Sequence, residues 1–258
     1  NGSPIVKNST FTGNSSKYDT ARGVGMYLAG SGTTTVVNCT FSGNNAPSGA
    51  YGGGMCVSDN AGAAVANCTF SGNSAGTGGG ISVQSNANVA AANSVFYGNT
   101  ADAGGKEISV STATLTLKNC IAAEGGVYND SGTITSADLY TGDPKFLTAS
   151  PDNNGGTVPT MAISAAGSAY RKGLAPGTEI KSGDTVLVTI PLTDARGVSF
   201  DANAADIGAY AWQSVGSAEI TGGALELVVG TSADLASYVT VKPVSTDIED
   251  KIGKIAAW

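Results

Sequence analysis

The sequence predicts an all-β chain wound as a parallel β-helix, a single-stranded solenoid of short strands. Three observations predict it. A seven-residue motif returns with Phe-to-Phe steps of 30, 29 and 26 residues. A second anchor precedes each later Phe by a constant 15 residues, while the remaining part of each repeat varies in length. No stretch carries the amphipathic, Gly-poor pattern that a helical repeat of this period needs.

The motif reads Asn8-Ser9-Thr10-Phe11-Thr12-Gly13-Asn14, then Asn38-Cys39-Thr40-Phe41-Ser42-Gly43-Asn44, then Asn67-Cys68-Thr69-Phe70-Ser71-Gly72-Asn73. Asn93-Ser94-Val95-Phe96-Tyr97-Gly98-Asn99 is a weaker copy, and Asn119-Cys120-Ile121-Ala122 is a remnant. Between copies, a Gly cluster leads into an apolar anchor at Met26, Met55, Ile81 and Ile108. Each anchor opens a short run with an apolar residue at every second position, as in Met26 and Leu28 or Ile81 and Val83. Period two is the strand period. The constant part is therefore strand, and the part that floats in length is a Gly, Ser and Asn loop at one corner, over 15–25, 45–53 and 74–79.

Stacking such repeats at the strand spacing gives four to five turns, about 20 to 25 Å tall. Like then lies over like. Phe11, Phe41, Phe70 and Phe96 form an inward aromatic column, and Cys39, Cys68, Ser94 and Cys120 an inward column of small residues. Asn8, Asn38, Asn67, Asn93 and Asn119 fall at a corner, where Asn accepts left-handed backbone and its amide can bond those above and below. Gly13, Gly43, Gly72 and Gly98 supply the next bend. The inward cysteines are expected to be buried free thiols, because side chains in parallel register point the same way rather than toward each other. Cys56 is out of phase with Met55 and Val57 and is expected to face outward.

Composition narrows the chemistry. The chain has no His, which removes Ser-His-Asp and Cys-His catalysis and His-ligated metal sites. A formal charge of −7 opposes binding to phosphate backbones, so no nucleic-acid partner is expected. No apolar run reaches the length of a membrane span. Charged residues are 13% of the chain, against about 25% in ordinary domains. From Gly23 to Ala101 the single charged residue is Asp59. The carboxylates Asp102, Glu107, Glu124 and Asp130 follow no repeat and read as solvated loop charges. The sequons at Asn8, Asn14, Asn38 and Asn67 are by-products of the repeat. Asp152, Asn153 and Asn154, with Gly155-Gly156, gather hard oxygen donors of the kind that hold calcium. A Gly-rich turn needs the same residues for its own geometry and is the stronger reading. No cofactor is expected, and no catalytic residue stands out.

After the repeats come Asp143-Pro144-Lys145-Phe146, Asn154-Gly155-Gly156-Thr157-Val158-Pro159-Thr160, Gly167-Ser168-Ala169, Asp194-Ala195-Arg196-Gly197 and Asp206-Ile207-Gly208-Ala209-Tyr210. In that order, over about 143–212, they resemble the C-terminal part of choice-of-anchor Q and right-handed β-helix repeat proteins of prokaryotic surfaces. The repeats before them are similar to pectate-lyase-like repeats. The chain departs from the pattern at Gly167–Gly173, where an SPAIDAG-like stretch is usual, and at 174–193, which look inserted. From about Val215 the sequence resembles the first half of a group 2 bacterial Ig-like domain.

The resemblance implies a right-handed parallel β-helix with a short Ig-like segment: repeats over 1–142, terminal β-helix turns over 143–214, an incomplete Ig-like part over 215–258. It implies an exported, cell-surface protein of a bacterium or archaeon and carries over no catalytic residues. Arg196-Gly197 and Asp206 read as a turn and a capping carboxylate. The expected function is a non-enzymatic stalk or adhesin-like piece whose partners are cell-surface or host glycans or proteins. The alternatives are a carbohydrate-binding or polysaccharide-degrading β-helix whose active turns lie outside this chain, and a filament subunit that self-associates through open ends.

Overall fold

The computed structural model describes residues 3–182 and 184–213. The expected Ig-like part over 215–258 lies outside the described residues. The first coil holds β1 (Ile5–Lys7), β2 (Thr10–Thr12) and β3 (Met26–Leu28), and the second β4 (Thr33–Val37), β5 (Thr40–Ser42) and β6 (Met55–Val57). The third runs through β7 (Gly62–Ala66), β8 (Thr69–Ser71) and β9 (Ser74–Thr77) to β10 (Ile81–Gln84). The fourth repeats this as β11 (Asn88–Ala92), β12 (Val95–Tyr97), β13 (Thr100–Gly104) and β14 (Ile108–Ser111). The fifth holds β15 (Thr114–Lys118), β16 (Ile121–Ala122) and β17 (Val127–Asn129), and β18 (Thr133–Ala137) follows.

These strands form three parallel sheets, β1-β4-β7-β11-β15-β18, β2-β5-β8-β12-β16 and β3-β6-β10-β14-β17, so the chain is a parallel β-helix of about five coils. The repeats align as the spacing requires. Phe11 pairs with Phe41, Phe41 with Phe70 and Phe70 with Phe96. Their rings stack with centroids 4.8, 4.6 and 4.8 Å apart, the spacing of the strands that carry them. Met26, Met55, Ile81 and Ile108 align likewise. All four cysteines are free thiols. Ser9, Cys39, Cys68, Ser94 and Cys120 each donate to the backbone carbonyl two residues earlier, which is why serine and cysteine interchange in that column.

The five corner asparagines adopt left-handed backbone, with φ between 46° and 53°. Their expected amide stack is confined to one bond, Asn38 to Asn8. The continuous ladder belongs to the other asparagine column, after the Gly bend. There Asn14 Nδ2 donates to Asn44 Oδ1, Asn44 to Asn73 and Asn73 to Asn99, at 2.8, 2.8 and 2.9 Å. The second N–H of Asn44, Asn73 and Asn99 donates to the carbonyl of Phe11, Phe41 and Phe70. Backbone N–H groups of Asn14, Asn44 and Asn73 reach the same Oδ1 atoms. Gly54 must lack a side chain, because a β-carbon there would lie 2.5 Å from Gly80 O and 3.0 Å from the Phe70 ring.

The variable corner is more ordered than a loop. Ser15, Asn45 and Ser74 form successive parallel bridges, as do Arg22, Tyr51 and Thr77, and β9 pairs with β13. Ala46, Ala50 and Ala75 bury a small apolar cluster there.

Residues 143–213 do not continue the stack as terminal turns, which corrects that expectation. Beyond the Tyr140 bridge to Ile121, no described strand joins the three parallel sheets. This segment turns back along the outside of the coils as a strap. The inserted stretch becomes an antiparallel hairpin, β19 (Glu179–Ser182) and β20 (Thr185–Thr189). Ile180, Val188, Ile190 and Phe200 bury against Ala64, Ala66 and Ala92, outward residues of the first sheet. Ile163, Ile207 and Tyr210 bury against Val95 and Ile121 of the second. The sheet tolerates a cover there because the outward residues of β7 and β11 are the alanines Ala64, Ala66, Ala90 and Ala92.

Phe70 is fully buried between two stacked rings. Phe70→Ala is expected to lower unfolding free energy by about 3 to 5 kcal/mol. Urea denaturation measures it, and a loss under about 1 kcal/mol would mean that the ring column does not carry the core.

Candidate functional site

The third sheet presents its outward row to the variable corner: Tyr27, Cys56, Ser82, Ser109 and Tyr128 in register. Tyr27 and Tyr128 are exposed at the two ends, whereas Cys56 is 0% exposed, against expectation. Its phase is as predicted, since it lies outside the core cluster that holds Met55 and Val57. It is covered because the glycine corner folds over it: a β-carbon on Gly52 would lie 2.8 Å from that of Cys56. Gln84 Nε2 donates to its sulfur at 3.4 Å. Burial pushes the Cys56 thiol up to about 11 and that of Cys120 to about 12. At neutral pH both are thiols, which are poor nucleophiles and poor metal ligands.

Beside Cys56, coil stacking brings together residues far apart in sequence. Arg22 Nη1 lies 3.6 Å from Asp59 Oδ2 and 3.3 Å from Ser58 Oγ. Tyr27 donates its hydroxyl to Asp59 at 2.8 Å. Tyr18 and Tyr51 are exposed on the same corner loops as Arg22. Asp59 thus gains a cation partner from the preceding coil. A linear reading misses Arg22 because it sits just outside the uncharged span, although it precedes Met26 by as many residues as Asp59 follows Met55.

Glu107 is the second correction. Read as a solvated charge, it is 2% exposed. It occupies the position that Gly25, Gly54 and Gly80 hold in earlier coils, immediately before the anchor. No fifth ladder asparagine follows, and the Glu107 carboxylate fills that place. It accepts from Asn99 Nδ2 and the backbone N–H groups of Asn99 and Gly98. The sequence signal was the change from Gly to Glu before the last anchor. Asp102, Glu124 and Asp130 are exposed.

Asp152, Asn153 and Asn154 stand in a turn of the strap. Asp152 Oδ1 accepts Asn153 N–H, Asn153 Oδ1 accepts Gly156 N–H, and Asn154 Nδ2 donates to Thr160. No cluster of three or more Cys, Asp or Glu able to hold a metal occurs among the described residues.

The strap is pinned by a buried ion pair, Arg196 with Asp194 at 2.7 Å, whose side chains are 3% and 0% exposed. Asp194 also accepts N–H groups of Arg196, Val198 and Ala211. Asp206 accepts those of Arg171 and Trp212, as a cap does. The corner asparagines supply sockets: Asn38, Asn67, Asn93 and Asn119 donate to carbonyls of Thr193, Asp206, Leu174 and Lys172.

Stacked coils of short parallel strands with inward columns of like residues define the β-helix class of solenoid. Residues 1–139, just over half of the chain, match the family described as right-handed beta helix region, and the chain belongs to that family. No curated protein and no solved structure matches it.

Two outcomes test this geometry. Burial raises the Glu107 carboxyl pKa and outweighs its N–H donors. A carboxyl raised in the fold adds stability that is full below the ordinary carboxylate range and lost as pH rises through the raised value. Asp206, also raised by burial, acts in the same sense. The stability of the native chain relative to Glu107→Gln should therefore shrink as pH is raised from about 4 toward neutrality, read from denaturation midpoints; a difference that grows with pH would refute the assignment. Asp194→Ala strands the buried Arg196 and is expected to cost about 3 to 5 kcal/mol, with faster proteolysis within 143–213 than within the coils.

Proposed function

We propose that this chain is a non-enzymatic, rigid spacer of an exported prokaryotic surface protein. The observation that carries the reading is the strap, which ties every coil to one covalent segment. Thr10 of the first coil donates to Pro159 O, and Asn38 of the second to Thr193 O. Thr69 of the third accepts Ala209 N–H, Asn93 of the fourth bonds Leu174 on both sides, and Asn119 of the fifth donates to Lys172 O. A solenoid is otherwise held by contacts between neighbouring coils alone. Clamping distant coils together suits a part that transmits load or holds a distance.

The absence of His from the sequence, the high-pKa thiols and the hydrogen bonds that engage the inward polar columns support a structural role over catalysis. The ordered elements over 143–212 support placement among choice-of-anchor Q-like surface proteins, and the texture after Val215 an Ig-like continuation. Partners, in this reading, are surface or host glycans or proteins met at the variable corner, where Tyr18, Tyr51 and Arg22 are exposed.

Two measurements check it together. Incubation with acidic and neutral polysaccharides should release no products, and product release abolished by Asp59→Asn would overturn the non-enzymatic reading. Pulled by its ends, the chain should unfold at lower force when Asn93→Ala removes a strap socket; equal forces would leave the strap no mechanical role.

A further inference from the structure

The coils and the strap are joined by one short link. Tyr140 bridges Ile121 at the end of the coils, and Phe146 bridges Ile163 within the strap. Between them lies Asp143-Pro144, the one Asp-Pro pair in the sequence. Three contacts converge on the peptide bond that joins these two residues. Its carbonyl oxygen, Asp143 O, accepts Ser168 N–H at 2.9 Å. Asp143 Oδ2 lies 2.8 Å from Lys145 Nζ, and Oδ1 accepts Lys145 N–H at 2.7 Å. Lys145 adopts left-handed backbone, φ 55°, uncommon for a non-Gly residue, and from it both the N–H and the ammonium reach Asp143. Ser168 is itself fixed: its Oγ donates to Gly142 O at 2.7 Å, and a β-carbon on Gly167 would lie 2.0 Å from Pro144 O.

The chemistry of these groups is specific. The Lys145 ammonium holds the Asp143 carboxyl below the usual carboxylate range, so it is an anion at neutral pH. With the Asp143 side chain 40% exposed, water reaches it. An aspartate carboxylate and its own carbonyl carbon are joined through Cα, Cβ and Cγ, so attack of one on the other closes a five-membered ring with no approach to be made. The Ser168 N–H polarises the carbonyl under attack. Proline is the leaving residue, and its nitrogen carries no N–H to anchor it. A turn accounts for the bond from Lys145 N–H to Oδ1. The ammonium on the other oxygen and the donor on the carbonyl are what a reaction requires in addition.

We propose that the Asp143–Pro144 peptide bond is a self-cleavage site, at which the Asp143 carboxylate displaces Pro144. A carboxylate oxygen forms a bond to the Asp143 carbonyl carbon, and the carbon–nitrogen bond breaks with its electron pair passing to the Pro144 nitrogen. That nitrogen takes a proton from Lys145 Nζ. The cyclic anhydride left on Asp143 is opened by water, which restores a side-chain carboxyl and creates a main-chain one, and Lys145 regains its proton from solvent. The sum is one water added across one peptide bond, with no oxidation or reduction. The event is a single turnover of the chain on itself and goes beyond the spacer reading, which neither requires it nor falls with it. After the cut, the asparagine sockets and the apolar clusters still hold strap and coils together. The nicked chain therefore stays assembled at rest and separates under load without unfolding its coils.

The test follows the purified full chain at 37 °C by mass spectrometry. Native protein should give the fragments 1–143 and 144–258, associated in buffer and separate in denaturant. The rate should stay level from about pH 5 to 8, because the carboxylate is ionised and the ammonium protonated throughout. The urea-unfolded chain should cleave much more slowly at neutral pH and speed up only in acid. Lys145→Gln should slow the native reaction by about 100-fold or more, the contribution of a positioned general acid, and Asp143→Ala should abolish it with the far-ultraviolet circular dichroism unchanged. Hydroxylamine added to the native chain should leave a hydroxamate on Asp143, the mark of a trapped anhydride. No cut at this bond within days, an equal rate in the unfolded chain, or a fragment that ends in free acid alone with hydroxylamine present would each overturn the proposal.

Discussion

The structure depends on coils keeping register, and the interaction that enforces register is the directional bond between stacked asparagine amides. The phenylalanine column supplies more apolar burial, but apolar contact is non-directional and tolerates sliding. An amide that donates to the next coil's amide and to the preceding coil's Phe carbonyl fits one offset only. A slip by one residue would also turn every inward side chain outward. The two columns divide the work: rings exclude water, amides fix position. That division explains why Gly precedes each anchor in the inner coils, since the ring and the amide close against a backbone with no room for a β-carbon.

Much of this was legible because the repeat is nearly literal. The constant 15-residue step fixed which residues share a column, and Phe, anchor, Ser/Cys and left-handed Asn positions fall where period and phase place them. What escaped reading was the environment of residues whose orientation was correct. Cys56 points outward yet is roofed by glycine backbone, and phase says nothing about what a loop does above the sheet. Glu107 looked like a loop charge because charge usually means solvent; its meaning lay in the glycine it replaces. The two asparagine columns each repeat five or four times, and repetition alone does not reveal which one bonds to itself.

The corner asparagines show how one repeated residue serves two needs. Left-handed backbone is required at every coil, so asparagine recurs there for conformational reasons. Because the turn is sharp, its amide points away from the core, and the strap takes it as a row of donors. The sheet beside that row is built of Ala64, Ala66, Ala90 and Ala92, small enough to admit a second layer. The alternation of GAAVA and NVAAA therefore encodes a covered outer face. An uncovered parallel sheet in a solenoid has no need of such small outward residues, and the strap in turn gains apolar burial without a core of its own.

The charge scarcity of the coils follows from the same geometry. A charge repeated at one position in every coil would sit about 4.8 Å from its copies, where like charges repel. Charged residues are consequently admitted where the repeat is broken or where stacking supplies an opposite partner. Asp59 and Arg22 meet across two coils, Glu107 ends a ladder, and the buried Asp194–Arg196 pair lies in the strap, which does not repeat. These three charged groups mark departures from the repeat, and each does a separate job: dressing the corner that varies in length, closing the ladder, or pinning the strap.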